Sequence, residues 1–247
     1  MKKPNFKQVQ NKDQPVYYQF IDNHSDTTVV FLHGLFSSSS IFKYFLKFIH
    51  YNVILVELRG VVYSKCEKPF LKSYVEDIRL ILENEEIKKQ VILVGYSMGC
   101  SIANAFAEKY SEIVDKVIML APINRTFKEI GRKELIKSLI SSLGRNFFKK
   151  WREYLRMEKN WPLHRLFRLF NFKLLKDVCR KMVFTRKCKI IIVNGQKSDI
   201  YFNDQDPHLK QPNIIYKELA ELDHFLFLSK ARIKEIAKHL IIYLKPI

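Results

Sequence analysis

The run Val91-Ile92-Leu93-Val94-Gly95-Tyr96-Ser97-Met98-Gly99-Cys100 restricts the folds open to this chain more than any other stretch. Its four leading apolar residues, three of them β-branched, predict a buried parallel strand. Ser101 to Ala107 then sets small and apolar residues at helical spacing. Only Gly-Tyr-Ser-Met-Gly-Cys lies between, so the chain must turn sharply from strand to helix. A serine held in strained backbone at such a turn needs neighbours without side chains, and glycine stands two residues before and two after it. The turn lifts the Ser97 hydroxyl clear of the sheet and aims helix N-terminal amides at whatever approaches it.

The rest of the chain repeats the alternation. Val16 to Ile21 reads as an early edge strand, and Asp22 to Asp26 as a polar turn. Thr28 to Leu32 is a β-branched central strand ending at His33-Gly34-Leu35-Phe36, and four serines follow. Ile41 to His50 has helical spacing, with Ser40 or an earlier serine as N-cap. Asn52 to Leu58 reads as a strand closed by Arg59-Gly60, and Tyr74 to Glu85 as an amphipathic helix. Beyond Ser97 come strands at Lys116 to Leu120, Lys189 to Val193 and Asn213 to Tyr216, and a helix from about Ser229 to Tyr243. Strands alternating with helices imply a mostly parallel sheet with helices on both faces. Between 123 and 186 no strand pattern occurs, only basic amphipathic helix patterns. The division expected is a core of residues 1–121 and 188–247 with a helical cap inserted at 122–187.

Charge separates the two parts. The chain carries +18, and residues 122–187 hold about 19 Lys or Arg against 5 Asp or Glu, roughly +14 of that total. No apolar segment follows the basic N-terminus, and no run approaches the ~18 apolar residues of a membrane span. Cys66, Cys100, Cys179 and Cys188 lack metal or redox spacing and read as reduced thiols, the usage of a cytoplasmic protein. His24, His50, His164, His208 and His239 show no mutual ligand spacing, so neither a metal nor another cofactor is expected.

These residues together resemble the α/β-hydrolase superfamily, in particular its small esterase and monoglyceride-lipase-like members, over most of 28–121 and 188–244. Gly95-Tyr96-Ser97-Met98-Gly99 matches the family's nucleophile elbow. His33-Gly34-Leu35 matches its oxyanion loop. Glu57-Leu58-Arg59-Gly60 with Ser64 follows an acid-Leu-Arg-Gly-x-Gly-x-Ser pattern, except that Val62 stands where glycine is usual. Cys100 likewise replaces a common glycine. Gly195 and Asp199 follow their strand as the family's Gly-x-x-x-Asp, and His224 precedes the last helix.

The resemblance implies an α/β-hydrolase fold and a serine hydrolase acting on carboxylic esters, with Ser97, Asp199 and His224 as the triad. Serine is a poor nucleophile until a base takes its proton, and that base needs a carboxylate to hold its tautomer. Asp204 and Asp206 share the connection with Asp199 and remain alternatives for the acid. Backbone N–H groups of Leu35 and Met98 are expected to bind the oxyanion, each contributing on the order of 3 kcal/mol. Phe36 and Tyr96 are candidate substrate contacts, although Tyr96 and Met98 equally suit packing against strands. His33 is expected to order the oxyanion loop rather than catalyse, and Cys100 to fill core space.

A medium or long acyl chain, as in a monoacylglycerol or lysolipid, suits the apolar cap. A thioesterase, acyltransferase or cofactor-free peroxidase would use the same triad, and a basic lipid- or polyanion-binding protein of this fold is the rival from another class. Dehalogenases and epoxide hydrolases are disfavoured, since the family resemblance gives their elbow a carboxylate. The cap itself has three readings: a solvated basic face over the core, a peripheral contact with anionic lipid at the inner membrane face, or a polyanion patch. Nucleic acid is the least favoured partner because no recognisable nucleic-acid module accompanies the charge. Oligomeric state has no sequence signal.

Overall fold

The computed structural model describes residues 6–12, 14–34, 37–59, 71–123, 183–195, 207–220 and 230–245. Eight strands form one sheet: β1 (Lys7–Asn11), β2 (Gln14–Ile21), β3 (Thr28–Leu32), β4 (Asn52–Glu57), β5 (Val91–Tyr96), β6 (Val114–Leu120), β7 (Lys189–Gly195) and β8 (Ile214–Leu219). Their order is β1-β2-β4-β3-β5-β6-β7-β8. β1 and β2 join antiparallel, β2 runs antiparallel to β4, and every later neighbour is parallel.

Central strands buried on both sides explain the unbroken apolar runs. β3 and β5 are buried at every residue, as expected where helices cover both faces of a parallel sheet. On one face, α1 (Leu71–Asn84) and α2 (Met98–Lys109) pack Tyr74, Ile78, Ile81, Ile102 and Phe106 onto Val30, Leu93 and Val117. On the other, α3 (Lys230–Leu244) brings Ile236 and Leu240 to Phe31, Val94 and Ile118. Ile41, Phe42 and Phe45 complete that layer. No helix among the described residues is long and apolar enough to cross a membrane.

Two expectations change. The strand at Val16 to Ile21 is not an edge, because β1 pairs outside it and leaves β2 between β1 and β4. Lys7-Gln8-Val9-Gln10-Asn11 carries only one strongly apolar residue, so it gives little strand signal, and its alternation is set by covering one face only. The helix expected at Ile41 to His50 is two 3-10 segments, Ser39–Tyr44 and Leu46–Phe48, with Ser38 as N-cap accepting from the Ser40 N–H. Six of its ten residues are Ile, Phe or Tyr, which are weaker helix formers, and the chain breaks at Phe45, whose ring is buried against Phe42. Tight 3-10 turns suit short connectors of this kind. Of the expected cap, residues 124–182 lie outside the described residues; Phe184 returns the chain into the core beside α2.

Candidate active site

The strand order reverses direction at β3. The chain moves from β3 outward to β4, then back across β3 to β5. In open α/β sheets the crevice at the carboxyl ends of the strands flanking such a switch is where ligands bind. Ser97 directly follows β5 there, and His33 and Gly34 directly follow β3.

Ser97 has φ 52° and ψ −115°, a conformation sparsely populated by residues with a side chain. Such strain costs on the order of 1–3 kcal/mol and persists only where the surroundings impose it. Two hydrogen bonds and two close glycine contacts do so. The Ser97 N–H donates to the Leu120 carbonyl at 3.0 Å, and the Ser97 carbonyl accepts from the Cys100 N–H at 2.9 Å. The glycines then permit close approach: a Cβ on Gly95 would lie 2.5 Å from the Gly99 backbone, and one on Gly99 only 2.0 Å from the Leu32 carbonyl oxygen. The first lets strand and helix meet within four residues. The second seats the start of α2 directly on β3. Met98 is the first residue of α2, where a backbone N–H has no intrahelical acceptor.

Gly34 reaches the same point from β3. A Cβ there would stand 3.2 Å from the Ser97 Cβ and 3.1 Å from the Tyr96 ring. The His33 ring is fully buried and uses both nitrogens on backbone. Nδ1 lies 2.8 Å from the Gly34 carbonyl oxygen, and Nε2 accepts from the Leu58 N–H at 3.1 Å. That pattern fixes the tautomer, with the proton on Nδ1. Burial pushes the imidazole down to about 4, against a smaller opposing effect of the Gly34 carbonyl. A neutral ring with both nitrogens committed cannot serve as the base for Ser97, so His33 is a brace, as the sequence led us to expect.

Beside it, Glu57 is 2% exposed at the carboxyl end of β4. The Ser39 N–H donates to its Oε1 at 3.2 Å, and the Ser39 hydroxyl makes a second, short bond to the same oxygen. Its Oε2 is 3.8 Å from His33 Nε2. With the ring neutral and Nε2 taken by Leu58, that approach is a polar contact and not a salt bridge. The sequence placed Glu57 in a loop pattern without assigning it a task; the run of four serines after His33-Gly34 was the signal that a polar partner lay nearby.

Other expected residues fall as follows. Tyr96 and Met98 are buried within the core clusters on opposite faces of the sheet. Cys100 is fully buried, its thiol shared between the Gly95 and Leu120 carbonyls at 3.2 and 3.4 Å, and burial pushes its ionisation far above the ordinary range. It fills space and is no nucleophile. Leu35, Phe36, Val62, Ser64, Asp199, Asp204, Asp206 and His224 lie outside the described residues. Among the described residues no three His, Cys, Asp or Glu side chains gather as a metal site.

The family described as alpha/beta hydrolase fold matches residues 27–177. Ethanol acetyltransferase 1 of Cyberlindnera jadinii is 29% identical over 133 residues, 51% of this chain and 39% of that protein. The uncharacterized hydrolase YugF of Bacillus subtilis is 32% identical over 110 residues, 42% of this chain and 40% of its own. The chain therefore spans less than half the length of these curated relatives. Among solved structures, Est816, described as an N-acyl homoserine lactone degrading enzyme, superposes with TM-score 0.74 at 16% identity over 96% of this chain and 100% of that one. A marine microorganism esterase does so with TM-score 0.69 at 15% identity over 93% and 99%. These structures share the fold, and the family match covers more than half of the chain. The protein belongs to the α/β-hydrolase fold family.

Proposed function

We propose that the protein is a serine hydrolase of carboxylic esters, with Ser97 as nucleophile, His224 as base and Asp199 as the carboxylate that orients it. The observation carrying this reading is Ser97 itself, held at positive φ between two close-packed glycines at the carboxyl end of β5. Structural economy does not account for a strained serine at the switch point of the sheet; presenting a nucleophile does.

In this reading the Ser97 Oγ attacks the ester carbonyl carbon while His224 takes its proton. The carbonyl oxygen becomes an oxyanion, bound by the Met98 N–H at the start of α2 and by that of Leu35. The alcohol leaves with the proton from His224, and an acyl group remains on Ser97. Water, deprotonated by His224, then attacks the acyl carbon and releases the acid. No cofactor enters any step. The apolar character of the cap segment favours a medium or long acyl chain, and its positive charge favours amphiphilic substrates presented at an anionic lipid surface on the cytoplasmic side.

Labelling with a fluorophosphonate probe, on the native protein and on Ser97→Ala, tests the nucleophile: label on the first and none on the second is expected, and an unlabelled native protein removes the hydrolase reading. Asp199→Asn should lower kcat by about 10⁴. Near-normal turnover in that variant would transfer the role to Asp204 or Asp206.

A second reading is favoured by the likeness to ethanol acetyltransferase 1. The same acyl-Ser97 would then be attacked by an alcohol instead of water. Product analysis with an acetyl ester in aqueous ethanol separates the two, because a transferase gives ethyl acetate well above the statistical share set by the ethanol concentration.

A further inference from the structure

We propose that Glu57 is a positioning residue for chemistry at Ser97, acting through Ser39 and Ser37 on Gly34, which abuts Ser97. This deepens the serine-hydrolase reading and rests on it.

Glu57, the last residue of β4, and Leu58 after it hold described residues on both sides of Gly34. The Leu58 N–H fixes the His33 ring at 3.1 Å, and the Glu57 carboxylate takes the Ser39 N–H at 3.2 Å together with the Ser39 hydroxyl. The Ser37 N–H donates to the Gly34 carbonyl at 3.3 Å, and that carbonyl also accepts from His33 Nδ1. Gly34 abuts Ser97 and directly precedes Leu35, the proposed second oxyanion donor. β4 does not pair with β5; β3 lies between them. Glu57 therefore reaches Ser97 through Ser39, Ser37, His33 and Gly34.

Placing a carboxylate here is costly. A buried ionised group loses its hydration, and an apolar side chain of similar size is often as good or better for stability. What an apolar residue cannot supply is an acceptor for two donors of one residue, a charge-assisted arrangement that is short and directional. Oxyanion stabilisation demands that kind of rigidity, since donors that must reorganise during the reaction lose most of their effect. Misplacement of a reacting or stabilising group by about 1 Å can cost about 10²-fold in rate. The Glu57–Ser39 bonds thus serve transition-state binding more than ground-state binding.

The experiment compares Glu57→Met, Ser39→Ala, their double variant and Glu57→Gln on one nitrophenyl ester, with melting curves for each. Glu57→Met and Ser39→Ala are expected to lower kcat by about 10- to 100-fold with KM little changed, each assayed well below its own melting midpoint because either change leaves a buried polar group short of a partner. The inhibition constant of a trifluoromethyl ketone, which forms a tetrahedral oxyanion on the serine, should rise in proportion. The double variant should be no worse than the more severe single one, because both act through one linkage. Glu57→Gln keeps an acceptor oxygen and should recover most of the rate. Full kcat in Glu57→Met, a multiplicative double variant, a loss confined to KM, or a loss that follows the unfolded fraction each overturns the proposal. Should Glu57→Met not fold, Ser39→Ala alone decides by the same criteria. Fluorophosphonate labelling of the native protein keeps the two ideas apart: labelled protein with an indifferent Glu57 refutes only this role, whereas unlabelled protein refutes the reading beneath it.

Discussion

At Ser97 and His33 the backbone dictates what the side chains do. Ser97 is presented because its hydrogen-bonded and close-packed neighbours hold φ at 52°. His33 is silenced because backbone groups take both of its nitrogens. A consequence for pH follows from the second. The folded imidazole ionises near 4 against an ordinary value of 6.5, so between those limits the unfolded chain binds more protons than the folded one. His33 costs nothing above about pH 6.5, and it weakens the fold progressively as pH falls toward 4, by about 3 kcal/mol in full. In an NMR titration the His33 ring should therefore remain neutral at pH 5.5, where an ordinary imidazole is mostly charged. A charged ring at that pH would mean that the bond from Leu58 is not made. Ser97 was legible from five letters and their flanks. Glu57 was not, since neither the Glu57-Leu58-Arg59-Gly60 pattern nor the serine run says which serine the carboxylate holds.

Among the elements, the N-terminal hairpin is tied to the site layer by a buried ion pair that sequence periodicity does not reveal. Arg59, just past β4, donates from Nε and from one terminal nitrogen to the two Asp77 carboxylate oxygens, both at 2.7 Å. Asn11 at the end of β1 donates to Asp77 at 2.6 Å, and the Tyr74 hydroxyl donates to the Arg59 carbonyl at 2.9 Å. Burial pushes the Asp77 carboxyl up, and Arg59 and Asn11 oppose that shift. One cluster thus joins β1, the exit of β4 and α1. Removing a single partner leaves a buried charge, so Asp77→Ala is expected to destabilise by about 3–5 kcal/mol in urea denaturation. Arg59→Met with Asp77→Leu should lose much less, as both charges leave together. Equal losses in the single and double variants would show that the cluster works by packing alone. The helix α1 was readable from its apolar stripe; that Asp77 lies on the buried side of it was not, because the stripe reports hydrophobic positions only.

For the whole molecule, net charge and topology decide different things. The +18 of the chain, most of it in 122–187, produces a positive field that should speed encounter with anionic substrates. Under the proposed function, kcat/KM for an ester bearing a carboxylate should fall about threefold or more as salt rises from low to well above physiological strength, whereas a neutral isostere changes little. Parallel salt dependence for both esters would contradict steering.

The parallel α/β architecture follows from local patterning alone, since apolar runs of strand length alternating with amphipathic helices have few other ways to bury their surface. So does the elbow, because that motif is local: strand, glycine, serine, glycine and helix are contiguous, and their sterics are settled within ten residues. The remaining features arise from contacts between distant parts of the chain. Strand order is a matter of long-range pairing, so β1 as outer edge and the reversal at β3 had to be seen. His33, Glu57 and Ser39 become one unit only because β3 and β4 lie side by side, which brings residues up to 25 apart in sequence into hydrogen-bond contact. A local pattern can announce a strained serine between two close-packed glycines. The polar groups that hold the ground around it are assembled by the sheet.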